Sequence, residues 1–131
     1  MKGLDTNVLV RYLVQDDPAQ ANRANRYIER HCTTDDRCLI NNIVLCELVW
    51  VLESAYGYKK AIIAEALEKL FMTSGFEFED KNLAWVAFND YRIKNADFAD
   101  CLIGRMNQGL GCDETVTFDK ALKQLDGFKL L

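Results

Sequence analysis

The chain has 131 residues, of which 50% are hydrophobic and 27% are charged. This composition excludes a disordered chain, and the length predicts one domain with a substantial core. The longest apolar run, about ten residues, is far shorter than the roughly 20 residues that cross a bilayer. The net charge of −4 argues against a general nucleic-acid binder with a basic face, but not against an enzyme that acts through a metal ion.

The N-terminal half of the sequence alternates strand and helix patterns. The predicted elements, in chain order, are strand 2–5, helix 6–14, helix 18–31, strand 37–41 and helix 43–56. Asp17 before Pro18 is typical of a helix start, because proline is favoured at the first helical position. Asn41 or Asn42 is expected to cap the apolar helix, and Gly57 to end it.

The C-terminal half continues the alternation. Its predicted elements are helix 59–75, strand 76–80, helix 81–95, helix 97–111, strand 114–119 and strand 128–131. Residues 76–80 alternate apolar and acidic side chains, as an edge strand does. Strands separated by helices predict an α/β fold with a parallel sheet and helices on both faces. With no repeat or linker, residues 1–131 are expected to form a single domain.

Four acids have positions that predict a common site. Asp5 ends the first strand, Glu47 lies in the second turn of helix 43–56, Asp100 lies in the first turn of a helix, and Asp119 follows a strand. Strand ends and the helix starts that follow them share one edge of a parallel sheet, where such folds carry their sites. This placement would explain a carboxylate inside the most apolar stretch, because Glu47 would then line the site instead of the core.

Four neighbouring carboxylates repel one another, and a divalent cation removes that penalty. Oxygen ligands without histidine or cysteine favour Mg²⁺ or Mn²⁺ and metal-assisted phosphoryl chemistry. The hydroxyl or amide side chains of Thr6, Asn7 and Thr117 are candidates to orient the ligands. Each acid also has an ordinary interpretation as a turn or helix-cap residue. Asp97, three residues before Asp100, is expected to be the N-cap of its helix.

The five cysteines form no CxxC pair. Cys46 and Cys101 lie in apolar helical patterns and are predicted to be buried. His31, Cys32 and Cys38 suggest a zinc site only weakly, because no fourth ligand has suitable spacing. Unpaired, reduced thiols and the lack of a signal-peptide core favour the cytoplasm.

The segments "LDTNVLV", "LCELVWVL", "ADFADCLIG" and "TFDKALKQL" together resemble the PIN-domain family, and more narrowly the VapC-type toxin ribonucleases of toxin–antitoxin pairs. The resemblance covers nearly the whole chain, in order. It implies a three-layer α/β/α sandwich around a short, mostly parallel sheet. Gly3 stands where these proteins more usually have a β-branched residue.

The resemblance also implies an activity and its residues. The activity would be Mg²⁺- or Mn²⁺-dependent cleavage of RNA by a metal-activated water. Asp5, Glu47, Asp100 and Asp119 would be catalytic and would hold the metal, with Asp5 and Asp100 as the principal ligands. The partners would be the RNA, a small antitoxin protein and a second copy of the chain, with no membrane. The predicted contacts to the RNA backbone are scattered cations: Arg11, Lys94, Arg105, Lys120 and Lys123.

Two other functions are compatible with parts of the pattern. A phosphatase of the haloacid-dehalogenase type also has an aspartate after its first strand, but it needs a second aspartate two residues later, where this chain has Asn7. A PIN-like fold could instead be a non-catalytic interaction module, although such modules lose acids that this chain keeps. The sequence does not identify the RNA, the number of metal ions or the antitoxin.

Overall fold

The computed structural model describes all 131 residues, which divide into unit 1, Met1–Glu79, and unit 2, Asp80–Leu131. The elements of unit 1 are β1 (Lys2–Gly3), α1 (Thr6–Val14), α2 (Pro18–His31), β2 (Cys38–Ile40), α3 (Asn42–Ser54), α4 (Lys60–Phe71) and β3 (Phe76–Phe78). The elements of unit 2 are α5 (Lys81–Ile93), α6 (Phe98–Gly109), β4 (Thr115–Thr117), a 3₁₀ helix (Lys120–Gln124) and β5 (Phe128–Leu130). The single domain over 1–131 stays a prediction.

The sheet of unit 1 has three parallel strands in the order β1-β2-β3. In the central strand, Cys38 and Ile40 are completely buried, as the alternation of side chains along a strand requires. The edge position predicted for residues 76–80 is confirmed, since β3 pairs with β2 alone. Helix residues spaced three or four apart, such as Leu45 and Leu48 of α3, complete the buried core of this unit.

Unit 2 is built on the packing of α5 and α6 and on the parallel pair β4-β5. Tyr91 and Phe98 are almost completely buried, and their rings meet edge to face with centroids 5.8 Å apart. Gly104 on α6 lies so close to the ring of Phe128 that a methyl group there would overlap it. The predicted α/β class with a short parallel sheet is confirmed.

The predicted start signals of α2 and α3 are confirmed. The Asp17 side chain accepts a hydrogen bond from the Gln20 backbone at the start of α2. Asn41 does the same for Val44 at the start of α3, at 2.8 Å. Helix α3 ends at Ser54, two residues earlier than predicted, and Gly57 follows with a φ of +66° that only glycine adopts readily. No helix is both long enough and apolar enough to cross a membrane.

The prediction of unpaired cysteines is wrong for two of the five. Cys32 and Cys38 form a disulfide, with their Cα atoms 5.1 Å apart. The chain turns back between α2 and β2, which brings the C-cap residue of the helix beside the first residue of the strand. Of the other cysteines, Cys101 is buried as predicted, whereas Cys46 is only partly buried.

Candidate functional site

Asp5 occupies the N-cap position of α1, directly beyond the end of β1, but its side chain does not cap the helix. Its backbone is extended, with φ −82° and ψ 159°, and its carboxylate makes no hydrogen bond to the first turn. Leu4 continues the strand pairing through a 2.9 Å hydrogen bond to the Leu39 carbonyl, so the backbone before Asp5 is held in place. The exposed carboxylate of Asp5 is therefore free to bind a ligand.

Glu47 is exposed on α3, which resolves the question of a charge inside an apolar stretch. Its neighbours on the same helix face, Ile43 and Trp50, are also exposed, by 70% and 67%. The Thr6 hydroxyl, whose residue is only 6% exposed, donates a 3.1 Å hydrogen bond to Glu47 Oε1. Thr6 thus orients the carboxylate of Glu47, whereas Asn7 is exposed and has no hydrogen bond to any of the four acids. The roles predicted for both residues beside a metal ion stay predictions.

Asp100 of unit 2 lies under the electrostatic influence of two other acids. Burial raises the pKa of the Asp100 carboxyl, and the negative charges of Asp97 and Asp119 raise it further. Asp97 occupies the predicted N-cap position of α6, but its side chain makes no cap hydrogen bond. Its carboxylate therefore adds repulsion near Asp100 without a compensating backbone contact.

Asp119 is held by a local turn. Its Oδ1 accepts a 2.9 Å hydrogen bond from the Ala121 backbone at the start of the 3₁₀ helix. The Thr117 hydroxyl oxygen accepts a 3.0 Å hydrogen bond from the Asp119 backbone N–H. Thr117 therefore positions the backbone of Asp119 and not its carboxylate, which leaves Oδ2 of that carboxylate without a partner in the turn.

None of the four acids Asp5, Glu47, Asp100 and Asp119 forms an ion pair with lysine, arginine, histidine or the N-terminus. Their donor atoms are all carboxylate oxygens, which suit a hard dication such as Mg²⁺. The structure contains no group of three or more Asp, Glu, His or Cys side chains that could hold a metal ion. The metal-binding role of the four acids remains a prediction.

Two of the predicted RNA-binding cations are already engaged. The Arg105 guanidinium donates to both Asp90 oxygens, at 2.6 and 3.0 Å. Arg11 donates to Gln20, Asp16 and the Tyr56 hydroxyl, at 2.6, 3.2 and 3.1 Å. These contacts orient both guanidinium groups and leave fewer of their donors for a phosphate.

The three predicted lysines are exposed, and two of them lie close to an acid in the chain. Lys120 and Lys123 belong to the 3₁₀ helix that Asp119 begins, and neither takes part in an ion pair. Lys94 follows the last residue of α5. Lys120 and Lys123 are therefore the predicted cations with the least competition from the protein.

A cavity of about 560 Å³ lies beside Asp5 in unit 1, between the start of α1 and one face of α2. Its polar lining residues are Asp5, Asn7, Arg11, Gln20, Arg23 and Tyr27, and its apolar ones include Leu4, Val8 and Ala24. Sequence reasoning missed the contribution of α2. The spacing of its lining residues, at three- and four-residue intervals from position 20 to 27, could have indicated one common helix face.

Comparisons with known proteins agree over almost the full length of the chain. The family model of the PIN domain matches residues 3–128. A VapC ribonuclease from Aquifex aeolicus (strain VF5) is 29% identical over 129 residues, which are 98% of this chain and 94% of that protein. No solved structure matches the chain significantly.

Proposed function

The chain belongs to the PIN-domain family, and we propose that it is a metal-dependent endoribonuclease that hydrolyses RNA phosphodiester bonds. Its similarity to a VapC ribonuclease over 98% of the chain supports this activity. The observation that carries the proposal is that the four acids are not neutralised by any basic side chain. Carboxylates without a basic partner keep oxygens available for a cation: Asp5 accepts no cap hydrogen bond, and the hydrogen bonds from Thr6 to Glu47 and from Ala121 to Asp119 each use only one carboxylate oxygen.

The proposed metal is Mg²⁺ or Mn²⁺, with Asp5 and Asp100 as the principal ligands and Glu47 and Asp119 completing the set. When bound, the ion would activate water and stabilise charge on the phosphate oxygens. The pKa of Asp100, which is raised by burial and then by the charges of Asp97 and Asp119, fits this role, because a bound cation favours the ionised carboxylate that these surroundings disfavour. Thr6 would hold Glu47 in one orientation, and Thr117 would hold the backbone of Asp119.

The RNA backbone would be bound by the predicted cations, of which Lys120 and Lys123 are the most available. Lys120 and Lys123 are exposed and have no ion-pair partner, and Lys94 is also exposed. Arg11 and Arg105 would contribute a fixed positive charge, because their carboxylate and hydroxyl partners hold them in place. Such backbone contacts give affinity without base specificity, so they do not identify the RNA.

Cleavage of a mixed RNA pool in Mg²⁺ tests the activity. We expect the wild type to cleave, EDTA to stop cleavage, and Asp5→Asn to remove nearly all of it. Asp113→Asn is the matched control, because Asp113 is an exposed aspartate without an ion pair that is not assigned to the metal. Full cleavage by Asp5→Asn, or unchanged cleavage in EDTA, would contradict the proposal.

Calorimetric titration with Mn²⁺ separates an enzyme from a PIN-like interaction module. The proposal requires ion binding that is lost in Asp5→Asn and in Asp100→Asn and kept in Asp113→Asn. A chain that binds no ion and cleaves no RNA would be an interaction module. Trapping of a phosphoryl group on Asp5 would instead support a phosphatase.

We further propose that the chain is the toxin of a toxin–antitoxin pair, acts in the cytoplasm and forms a homodimer. The exposed apolar side chains of Ile43 and Trp50 on α3 offer a protein-contact surface. Induced expression of the wild type should arrest growth, and expression of Asp5→Ala should not. In sedimentation experiments, Trp50→Ser should weaken dimerisation.

A further inference from the structure

The cavity beside Asp5 combines an apolar floor, one aromatic side chain and positive charge. Leu4 and Ala24 are buried at the floor, and Tyr27 of α2 lines the side with 39% of its surface exposed. The Tyr27 ring packs against His31 with centroids 4.6 Å apart, which restricts its motion. A nucleobase could stack on the partly exposed ring of Tyr27, which His31 holds in place, and contact the apolar residues at the floor of the cavity.

The two arginines of the cavity differ in what they already bind. Arg11 forms an ion pair with Asp16 and also donates to Gln20 and Tyr56. Arg23 is exposed, lines the same cavity, and has neither an ion pair nor a hydrogen bond. Arg11 therefore forms a fixed wall of the cavity, whereas Arg23 has all its donors available for an anion.

We propose that this cavity binds one unpaired nucleotide of the RNA substrate next to the cleaved phosphodiester bond, with its base against Tyr27 and its phosphate at Arg23. The inference rests on the proposed function, in which Asp5, one of the residues that line the cavity, is a metal ligand. An acidic peptide would also pair with Arg23, but it would leave the aromatic ring and the apolar floor unused. The combination of features therefore favours a nucleotide.

Gly3 provides a way to reduce the cavity without disturbing the fold. It lines the cavity, and a Cβ added there would meet no heavy atom within 4 Å. Its φ is not in the left-handed region, so a larger residue can adopt the same backbone. Gly3→Val would add a side chain whose Cβ meets no neighbour within 4 Å, and we expect it to weaken binding of the nucleotide.

Binding of a fluorescein-labelled, single-stranded RNA of about eight nucleotides to the full chain in EDTA measures the site without cleavage. Tyr27→Leu should raise the Kd about tenfold, and Tyr27→Phe should restore it, because stacking needs the ring and not the hydroxyl. Arg23→Gln should raise the Kd, and it should make the slope of log Kd against log salt concentration less steep by about 0.7, because one phosphate contact is lost. Arg23→Lys keeps the positive charge and should keep the slope. Arg26→Gln is the matched control, an exposed arginine of α2 that does not line the cavity.

Cleavage kinetics in Mg²⁺ separate a failure of this proposal from a failure of the proposed function. We expect KM to rise in Tyr27→Leu, Arg23→Gln and Gly3→Val while kcat changes little. Wild-type affinity in all three variants, with cleavage intact, overturns the nucleotide site and leaves the nuclease. Absence of wild-type cleavage, with binding still weakened by the variants, rejects the nuclease and supports the RNA site. Competition by a glutamate-rich peptide that depends on Arg23 but not on Tyr27 would overturn the proposal in favour of a peptide site.

Discussion

The acids of unit 1 and those of unit 2 have different surroundings. In unit 1, Asp5 is exposed and makes no cap hydrogen bond, and Glu47 is oriented by a neutral hydroxyl from Thr6. In unit 2, Asp100 is partly buried and is influenced by the charges of Asp97 and Asp119. The carboxylates of unit 1 are therefore exposed and accessible to a ligand. In unit 2 the negative charges of Asp97 and Asp119 repel that of Asp100, and a bound cation would reduce this repulsion.

This difference shows that orienting a carboxylate and compensating its negative charge require different contacts. A hydrogen bond from Thr6 orients Glu47 without changing the net charge of its surroundings. Negative neighbours such as Asp97 make ionisation of Asp100 less favourable, and a nearby positive charge would compensate for that. We therefore expect removal of charge to stabilise unit 2 in the absence of metal, even where it abolishes activity.

The largest expected effect is on cleavage. Asp100→Asn should lower kcat/KM by about 1,000-fold, as should Asp5→Asn, because each would remove a proposed ligand of an ion that would contribute several kcal/mol to stabilising the transition state. Initial rates on one defined RNA, at saturating Mg²⁺, measure both. If only one variant loses activity, the acid of the other unit has a role other than metal binding.

The close approach of α6 to β5 in unit 2 should make Gly104 sensitive to substitution. Gly104→Ala should destabilise the chain by about 1–3 kcal/mol, because the new methyl group would overlap the ring of Phe128. Gly3→Ala in unit 1 is the matched control, since its methyl group meets no neighbour. Urea unfolding of both variants measures the difference, and equal stability would show that Phe128 shifts without cost. A single transition would support one domain over 1–131.

Loss of the hydroxyl that orients Glu47 should have a smaller effect on activity. Thr6→Val keeps the shape of the side chain but removes its hydrogen bond to Glu47, and we expect cleavage to fall about tenfold. Thr6→Ser, which keeps a hydroxyl, should retain most of the activity. Equal rates for the two variants would mean that the orientation of Glu47 does not depend on this hydrogen bond.

The smallest effect is expected on stability and its pH dependence. Burial, and then the charges of Asp97 and Asp119, raise the pKa of Asp100 in the folded chain above its ordinary value of 3.8. Protonation of Asp100 therefore favours folding at pH values below 3.8, and this contribution is lost as the pH rises through the raised pKa. Asp100→Asn should therefore raise the melting temperature at neutral pH without metal, and the gain should vanish in strong acid. Thermal melts of this variant and of Asp113→Asn, across pH, measure it. A lower melting temperature for Asp100→Asn at neutral pH would contradict the repulsion.

The helix starts illustrate how far local sequence reasoning extends. Asp17 and Asn41 were predicted as caps, and both accept the backbone hydrogen bond that defines a cap. Asp5 and Asp97 occupy equivalent positions in the chain and make no such bond. Residue type and position predict where a helix begins, but the side-chain rotamer decides whether the carboxylate is used by the helix or left free.

Partners of charged and sulfur-containing side chains were harder to predict. Arg105 was expected to face RNA, but it binds Asp90, which is 15 residues earlier in the chain. Cys32 and Cys38 are six residues apart, and only the return of the chain from α2 to β2 brings them together. Nothing in the spacing of these residues specifies such contacts.

The sequence by itself determined the alternation of strands and helices, the α/β class, and the positions of Asp5, Glu47, Asp100 and Asp119 at strand ends and helix starts. These features depend on hydrophobic period and on backbone hydrogen bonds between residues a few positions apart. Tertiary structure decided which side chains meet, such as Thr6 with Glu47 across 41 residues, and which remain free, such as Arg23. Those outcomes depend on how the elements of each unit pack, because packing brings side chains together from distant parts of the chain.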